Sequence, residues 1–555
     1  MKKASVMLFV VCFLLFFYPN FIKTEFSVSI ASPPTNGDWV IDNETIIVEN
    51  QSIILNGSLL LQNKANMTLR NVTLRMNSPT DQHYRIEIAD GCSLTIEGNS
   101  SVTAVTPSDQ WYLKAVAGSS ISLKDSWFSN AGYDNNDFTG LRIQAAKTEI
   151  INCTITENFN GIDLLQANHS LIANNTIINS TDTGIHLFNS HNNVVTGNRI
   201  SGGTHGINTA LSSNITIQGN IIFETLENFG IAASSCYGNI TVRNNFVTGS
   251  YYGIYFSQVP ESVVSHNTLL NNRDGGIVLS RSFNNTVHNN DLTGDGIEIT
   301  SCSSSTIDQN TVRNAGHGIS LRESIDAITG IYESTNMSVT RNIITDNFGY
   351  GIYIDSTTSN ATLWGNTLGA NGEGNAYDGN GENQWDNGTH GNWWDDYYGP
   401  DWDWNSIGDL PYKISGGQSQ DRYPIMNLTD VIAPSVNSLS PVTVEEGAVG
   451  KSITWNPTDT NPYWYNITDN STLLAQGLWN GSAITINLDK LTLGMHHLTL
   501  TVFDRLGNYA ESYVYITVIP ESTKDPEEDS STVYSFSYLT ILLAMLTILV
   551  AKKRN

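Results

Sequence analysis

The sequence predicts an all-β chain: a parallel β-helix, then a β-sandwich, then a C-terminal transmembrane helix. Three observations carry this prediction. A repeat of about 22 residues runs through the middle, Pro-punctuated alternating segments follow it, and an apolar run lies near the end.

The repeat is marked twice. Gly followed by Ile or Leu, one variable residue and usually another apolar residue recurs at Gly140, Gly161, Gly184, Gly206, Gly230, Gly253, Gly276, Gly296, Gly318 and Gly351; the steps are 20 to 24 residues except the last, which is 33. A second mark, Asn with β-branched or apolar residues just after it, follows at Asn152, Asn175, Asn198, Asn220, Asn245, Asn267, Asn290, Asn310, Asn342 and Asn366. One long step and one long offset share a cause, an insertion near Ser324 to Glu333 that lengthens a single loop and leaves the register intact. Between the marks each coil holds two short Ile/Val/Thr runs with period-two alternation, and no segment from Gly140 to Asn366 carries a helical stripe. A leucine-rich repeat shares the period but needs a Leu-dominated coil with a helical return. Coils of short strands, each pairing in parallel with the next at ~4.8 Å, fit instead. Asn at the bends tolerates left-handed backbone, and its amide can bond the same Asn one coil along. Residues 39–390 are assigned to this β-helix, with regular repeats over 138–370 and looser coils before them. Together they make about fourteen coils and a rod of about 65 Å.

Residues 432–520 change character. Pro434, Pro441, Pro457 and Pro462 punctuate alternating runs such as Ala483 to Leu488, His497 to Phe503 and Tyr513 to Val518. About seven short strands in such a length are sandwich arithmetic. The pattern resembles immunoglobulin-like spacer domains, without their paired cysteines, so Trp455 is expected to pack a core with no disulfide behind it.

The ends predict export. Lys2 and Lys3 precede an apolar run from Val6 to Tyr18, with small Ser29 and Ala31 beyond it, so residues 1–31 read as a signal peptide. Residues 521–532 form an acidic linker, 533–551 a membrane-spanning helix and 552–555 a cytoplasmic basic tail. The large N-terminal part is thus expected outside a single-pass anchor, and many Asn-X-Ser/Thr acceptors, Asn43 and Asn480 among them, fit a glycoprotein. With 53 acidic against 27 basic residues the formal charge is −26, and no basic stripe exists to replace phosphate counterions, which excludes nucleic acid as a partner. Only 14% of residues are charged and there are five cysteines, too few for a disulfide scaffold.

The glycine and asparagine marks, with Gly391-Asn-Trp-Trp-Asp-Asp-Tyr-Tyr-Gly, Ile407-Gly-Asp-Leu-Pro-Tyr-Lys-Ile and Asp421-Arg-Tyr-Pro-Ile-Met, resemble the right-handed parallel β-helix family of NosD-like proteins, also called the carbohydrate-binding and sugar-hydrolysis repeat family. The resemblance covers about Trp39 to Met426 and makes 391–426 a closing segment. It implies a right-handed helix and a carbohydrate link, and surface-anchored relatives of this kind are familiar in archaea. NosD itself takes part in copper-site maturation of nitrous oxide reductase, a role most chains with these repeats lack.

In Gly-Ile-X-Leu the alternation turns Ile and Leu inward and X outward. Down the rod, X gives Arg142, Asp163, His186 and Asn208 as a polar ladder, then Tyr255, Glu298 and Tyr353 further on. Just before the glycines lie Phe229, His205, Tyr251, Tyr252, His317 and Tyr350. Sugar faces stack on aromatics while hydroxyls bond to amides and carboxylates, so Arg142, Asp163, His186, His205, Asn208, Tyr252 and Tyr255 are the expected glycan contacts. A hydrolase would need two carboxylates at a fixed separation. The nearest pair, Asp274 and Asp295, reads as solvated turn acids.

Asp401, Asp403, Asn405, the Ile407 carbonyl and Asp409 have the spacing of a calcium loop, so a structural calcium ion is the expected cofactor. Ser406 stands where Gly belongs and Tyr412 where a Glu would close the sphere, and an acidic turn without metal fits equally well. His169 and His191 in consecutive coils lack the soft partners a selective copper site needs. The expected function is a membrane-anchored surface protein for glycan binding, adhesion or envelope structure, partnered by glycans or envelope components. A surface polysaccharide lyase or glycoside hydrolase is the alternative, and a NosD-like accessory factor for metal cofactor assembly a third.

Overall fold

The computed structural model describes residues 32–79, 84–133, 138–225, 228–326, 330–332, 334–402, 405–426, 433–459, 462–504 and 508–520. The expected signal peptide, acidic linker, transmembrane helix and basic tail lie outside them. Among the described residues no helix is long and apolar enough to cross a membrane. The chain divides into two compact units between Asn427 and Leu428.

The first unit is a parallel β-helix. Each full coil contributes one strand to each of three parallel sheets, of 15, 14 and 15 strands, in which every strand pairs with its equivalent one coil away. The 15-stranded sheet that begins at Trp39–Asp42 contains the Gly-Ile segments and is called here the first sheet. Parallel pairing one coil apart makes every position a column. Ile162, Ile185, Ile207, Ile231, Ile254 and Ile277 fall in one such column, and all are fully buried. Each such side chain contributes about 2 kcal/mol of burial free energy, and stacking like on like keeps the bore uniformly filled.

The glycine beside that column is fixed by close approach. A Cβ on Gly206 would stand 2.5 Å from the Gly230 carbonyl oxygen and 2.6 Å from Ile222 Cγ2, although Gly206 has no positive φ. The asparagine mark divides between two residues. From Asn175 to Asn366 the ladder asparagines are buried and do not themselves adopt left-handed backbone; the residue before each one does, as at Asn174, Gly197, Gly219, Asn244, His266 and Asn289, while Asn152, the first mark, is itself left-handed and stands one residue ahead of the ladder position. This refines the expectation that one Asn performs both tasks. Asn175 donates its backbone N–H and Nδ2 to Asn198 Oδ1 at 2.9 and 3.0 Å. The same two-donor step repeats coil by coil from Asn198 to Asn392. Such a ladder satisfies buried backbone groups at a bend that could not pair otherwise.

The insertion after Arg322 is a small antiparallel hairpin, Ser324–Asp326 with Gly330–Tyr332, rather than a plain loop. Register resumes beyond it, with Ile319 opposite Ile352. The closing segment caps the rod. Asn392 ends the ladder by donating its backbone N–H to Asp421 Oδ2 at 2.6 Å, and Trp394 Nε1 donates to the same oxygen at 2.9 Å. Gly391 must be glycine because a Cβ there would collide with the Asp421 carboxylate. Arg422 grips the buried Asp386 carboxylate through Nε and Nη2 at 2.9 and 2.6 Å.

The second unit has a five-stranded and a two-stranded sheet. Trp455 is fully buried in its core, with Nε1 donating to Ser512 Oγ at 3.2 Å. As expected, this core contains no disulfide among the described residues, where Cys92, Cys153, Cys236 and Cys302, all in the first unit, are free.

Candidate functional site

The outward column of the first sheet pairs strand to strand through Lys114, Arg142, Asp163, His186, Asn208, Ala232, Tyr255, Val278, Glu298, Ser320, Tyr353 and Tyr377, with one register shift, between Gly140 and Arg142, in the strand pairing that joins Arg142 to Asp163. Arg142, Asp163, His186, Asn208 and Tyr255 therefore share one face, as expected. His205 and Tyr252 belong to a second outward column just before the glycines, beside Phe229.

At one end of this face Asp163 is outward in register yet only 4% exposed. His186 Nδ1 lies 2.9 Å from its Oδ1, and Thr139 Oγ1 donates to its Oδ2 at 2.5 Å. Burial alone would raise the Asp163 carboxyl, but the bond and charge of His186, the Thr139 hydroxyl and the Arg142 charge outweigh it and hold the group below the usual carboxylate range. His205 is pushed down by burial and by the neighbouring His186 charge, against the opposing pull of Asp182. Its Nδ1 contacts Thr204 Oγ1 at 2.9 Å.

Two strands further along begins an aromatic platform. Phe229 stacks on Tyr255 and on Tyr252, with centroids 4.5 and 5.9 Å apart, while His205 approaches Phe229 at 5.4 Å. Burial, then a hydrogen bond to Asp274, then the charges of Asp274 and Glu298 raise the Tyr252 hydroxyl, so it stays a donor. A second platform follows on the same sheet. His317, Tyr350, Tyr353 and Tyr377 form a connected cluster, with Tyr353 stacked on Tyr377 at 5.3 Å and the Arg322 guanidinium 5.2 Å from the Tyr353 ring centre. Sequence reasoning missed Tyr377 because Asn375 stands where the mark has its glycine. A step of 24 residues from Tyr353, within the range of the repeat, would have found it.

Asp274 and Asp295 part company. Asp274 joins Tyr252, whereas Asp295 is 1% exposed and accepts from the Asn272 backbone N–H and Nδ2 at 2.7 and 2.8 Å. Asp295 is thus a buried ladder member rather than a solvated turn acid, and burial pushes it up to about 6.

In the closing segment the Asp401 carboxylate accepts from the backbone N–H groups of Asn405 and Ser406, Asp409 from that of Trp402, and Asn405 Oδ1 from that of Ile407. These expected calcium ligands therefore already bind the turn's own backbone, and Asp403 lies outside the described residues. His169 and His191 pair through their backbones, while the His191 ring turns to Ser213 at 3.0 Å.

The family model described as periplasmic copper-binding protein (NosD) matches residues 28–239, 180–331 and 236–399. The chain belongs to the NosD family. No curated protein matches it. Among solved structures, the periplasmic alginate epimerase AlgG is 13% identical over 59% of this chain and 84% of that one, with a TM-score of 0.42. The A-module of the mannuronan C-5 epimerase AlgE6 from Azotobacter vinelandii is 14% identical over 62% and 90%, with a TM-score of 0.36. DFA-IIIase from Arthrobacter chlorophenolicus is 14% identical over 52% and 85%, with a TM-score of 0.37.

The NosD family name invites a copper test. Among the described residues no three His, Cys, Asp or Glu side chains gather in a metal-holding group. Cys153 and Cys302 are buried singly against backbone carbonyls, and burial pushes their thiols up to about 11 and about 12. His266 and His288 bring their rings to 5.4 Å, but no thiolate or thioether joins them, and burial pushes His266 down to about 4. This donor set does not fit a copper centre.

Proposed function

We propose that this NosD-family protein binds a linear glycan along the outer face of the first sheet. The stacked trio Phe229, Tyr252 and Tyr255 carries the reading. Register brings three rings from adjacent strands into one platform, flanked on one side by Asn208 and His205 and on the other by the acceptors Asp274 and Glu298. Tyr353 lies four strands beyond Tyr255 in the same column, about 19 Å away at ~4.8 Å per strand, so the second platform extends the first along one sugar chain. Apolar ring faces with amides and carboxylates beside them match the two-sided character of a pyranose.

In this reading the chain is displayed outside the cell, with residues 432–520 as an immunoglobulin-like spacer and 533–551 as its anchor. The periplasmic description of the family supports an exported protein. A glycan array with the full-length protein, followed by titration calorimetry on the hits, tests the proposal. Tyr255→Ala is expected to weaken binding about tenfold or more, as loss of one stacking anchor does. Unchanged affinity in both Tyr252→Ala and Tyr255→Ala would refute it.

A further inference from the structure

The Asp163–His186 pair does more than a binding face requires. An outward polar residue needs no partner, yet here a carboxylate is taken out of water and both its oxygens are committed, one to Thr139 and one to His186 Nδ1. Burying a carboxylate is costly unless it is paired. A carboxylate on Nδ1 fixes the imidazole tautomer and ring plane, leaving Nε2 with the lone pair. The His186 side chain keeps 25% of its exposure, and Nε2 has no partner among the described residues.

The surroundings select a substrate. Lys114 and Arg142 occupy the two column positions before the pair, and the Phe229 platform begins two strands after it. A glycan laid along this column meets cations first, then the imidazole, then aromatic rings. That order suits a chain of uronic acids, whose carboxylates seek cations and whose C5–H lies next to a carboxylate. Acid hydrolysis of a glycosidic bond would instead need a protonated carboxylic acid at the same place, and Asp163 is tied up with His186 and Thr139.

We propose that His186, positioned by Asp163, is the general base of a polyuronate lyase, taking the C5 proton of a uronic-acid residue bound on this face. The inference rests on the glycan-binding reading above. His186 Nε2 removes the C5 proton, and the electron pair moves into the adjacent carboxylate, whose growing negative charge faces Arg142. That pair then returns to form the C4–C5 double bond as the C4–O bond breaks. The proton held on Nε2 passes to the departing oxygen. One glycosidic bond is exchanged for one double bond and one hydroxyl, with no co-reactant. His186 is the catalytic residue and Asp163 a positioning residue.

The test uses the full-length protein with polygalacturonate, polymannuronate, polyguluronate and polyglucuronate, and a neutral β-glucan for contrast. Calorimetry reads binding, and ultraviolet absorbance of the conjugated unsaturated uronate reads product. At least one polyuronate is expected to yield unsaturated product. His186→Gln is expected to cut that rate ~10²- to 10⁴-fold, the usual contribution of a general base, in a protein that still folds and whose polyuronate affinity falls far less than its rate. Asp163→Asn is expected to lower kcat more than it raises KM, because the imidazole loses the carboxylate that orients it. A merely structural Asp163 would lower the melting temperature and leave kcat of the folded protein unchanged, which would overturn its assignment. Binding of polyuronate without unsaturated product, or an unchanged rate in His186→Gln, overturns the lyase and leaves glycan binding standing. Binding of neutral glycan alone also overturns the lyase only. Absence of binding to any glycan overturns both.

Discussion

Replacing Asp295 by Asn is expected to make the protein more stable at neutral pH, although it removes a charge from an ordered network. Asp295 is 1% exposed and accepts two hydrogen bonds from Asn272, one on each carboxylate oxygen, where a ladder asparagine takes both on its single Oδ1. Its carboxyl is pushed by burial from 3.8 up to about 6. The sign follows from linkage. A carboxyl raised in the folded state contributes stability that is full below the unfolded value of about 4 and is lost as pH rises through about 6. At pH 7.5 the wild type therefore carries a penalty of about two pH units, or ~3 kcal/mol at ~1.4 kcal/mol per unit. An amide does not ionise, and its Oδ1 can take both Asn272 donors as Asn198 Oδ1 takes those of Asn175. Urea denaturation of Asp295→Asn and wild type at pH 4 and pH 7.5 reads the effect. The variant is expected to gain ~1–3 kcal/mol at pH 7.5 and little at pH 4. Equal stability at pH 7.5, or a gain of the same size at both pH values, would refute the claim that Asp295 ionises inside the ladder.

Other perturbations report on the same architecture. Asn245→Ala leaves the buried Asn220 backbone N–H without its acceptor and removes one bond each from Asn220 Nδ2 and the carbonyls of Ile217 and Arg243, so a loss of about 1–3 kcal/mol and a lower melting temperature are expected. Gly206→Ala drives a Cβ against the Gly230 carbonyl and Ile222, which a stacked backbone cannot easily yield, for an expected loss of ~1–3 kcal/mol in thermal unfolding. In the cap, burial opposes ionisation of Asp386, but the Arg422 bonds and charge outweigh it and hold the carboxyl below its ordinary value. Its contribution is present above the ordinary carboxylate range and is lost as pH falls through the folded value, so Arg422→Ala should unfold at a higher pH than wild type in an acid titration followed by circular dichroism.

The sites differ in how far they could be read from the chain. Asn208, His205, Tyr252 and Tyr255 could be placed on one face because Gly206-Ile and Gly253-Ile set their phase. Asp295 could not. Its coil is short, with 20 residues from Gly276 to Gly296 instead of 23 from Gly253 to Gly276. The ladder position thus falls one residue before the glycine at Asp295 but four before it at Asn272, and a fixed-offset reading assigns Asp295 to the turn. The family motif at 391–426 posed the opposite problem. Its Asn, Trp, Asp and Arg side chains look like chemistry, yet Asn392, Trp394, Asp421 and Arg422 close the end of the rod.

By itself the sequence determined the period, the inward and outward alternation, and therefore the columns, because parallel pairing one coil apart turns sequence spacing into spatial neighbourhood. Tertiary structure alone decided which outward residues leave solvent. Thr139 and His186 converge on Asp163 from different coils, and Asn272 closes over Asp295. Those contacts depend on where each bend aims its side chains. A local change in coil length re-aims them without disturbing the repeat.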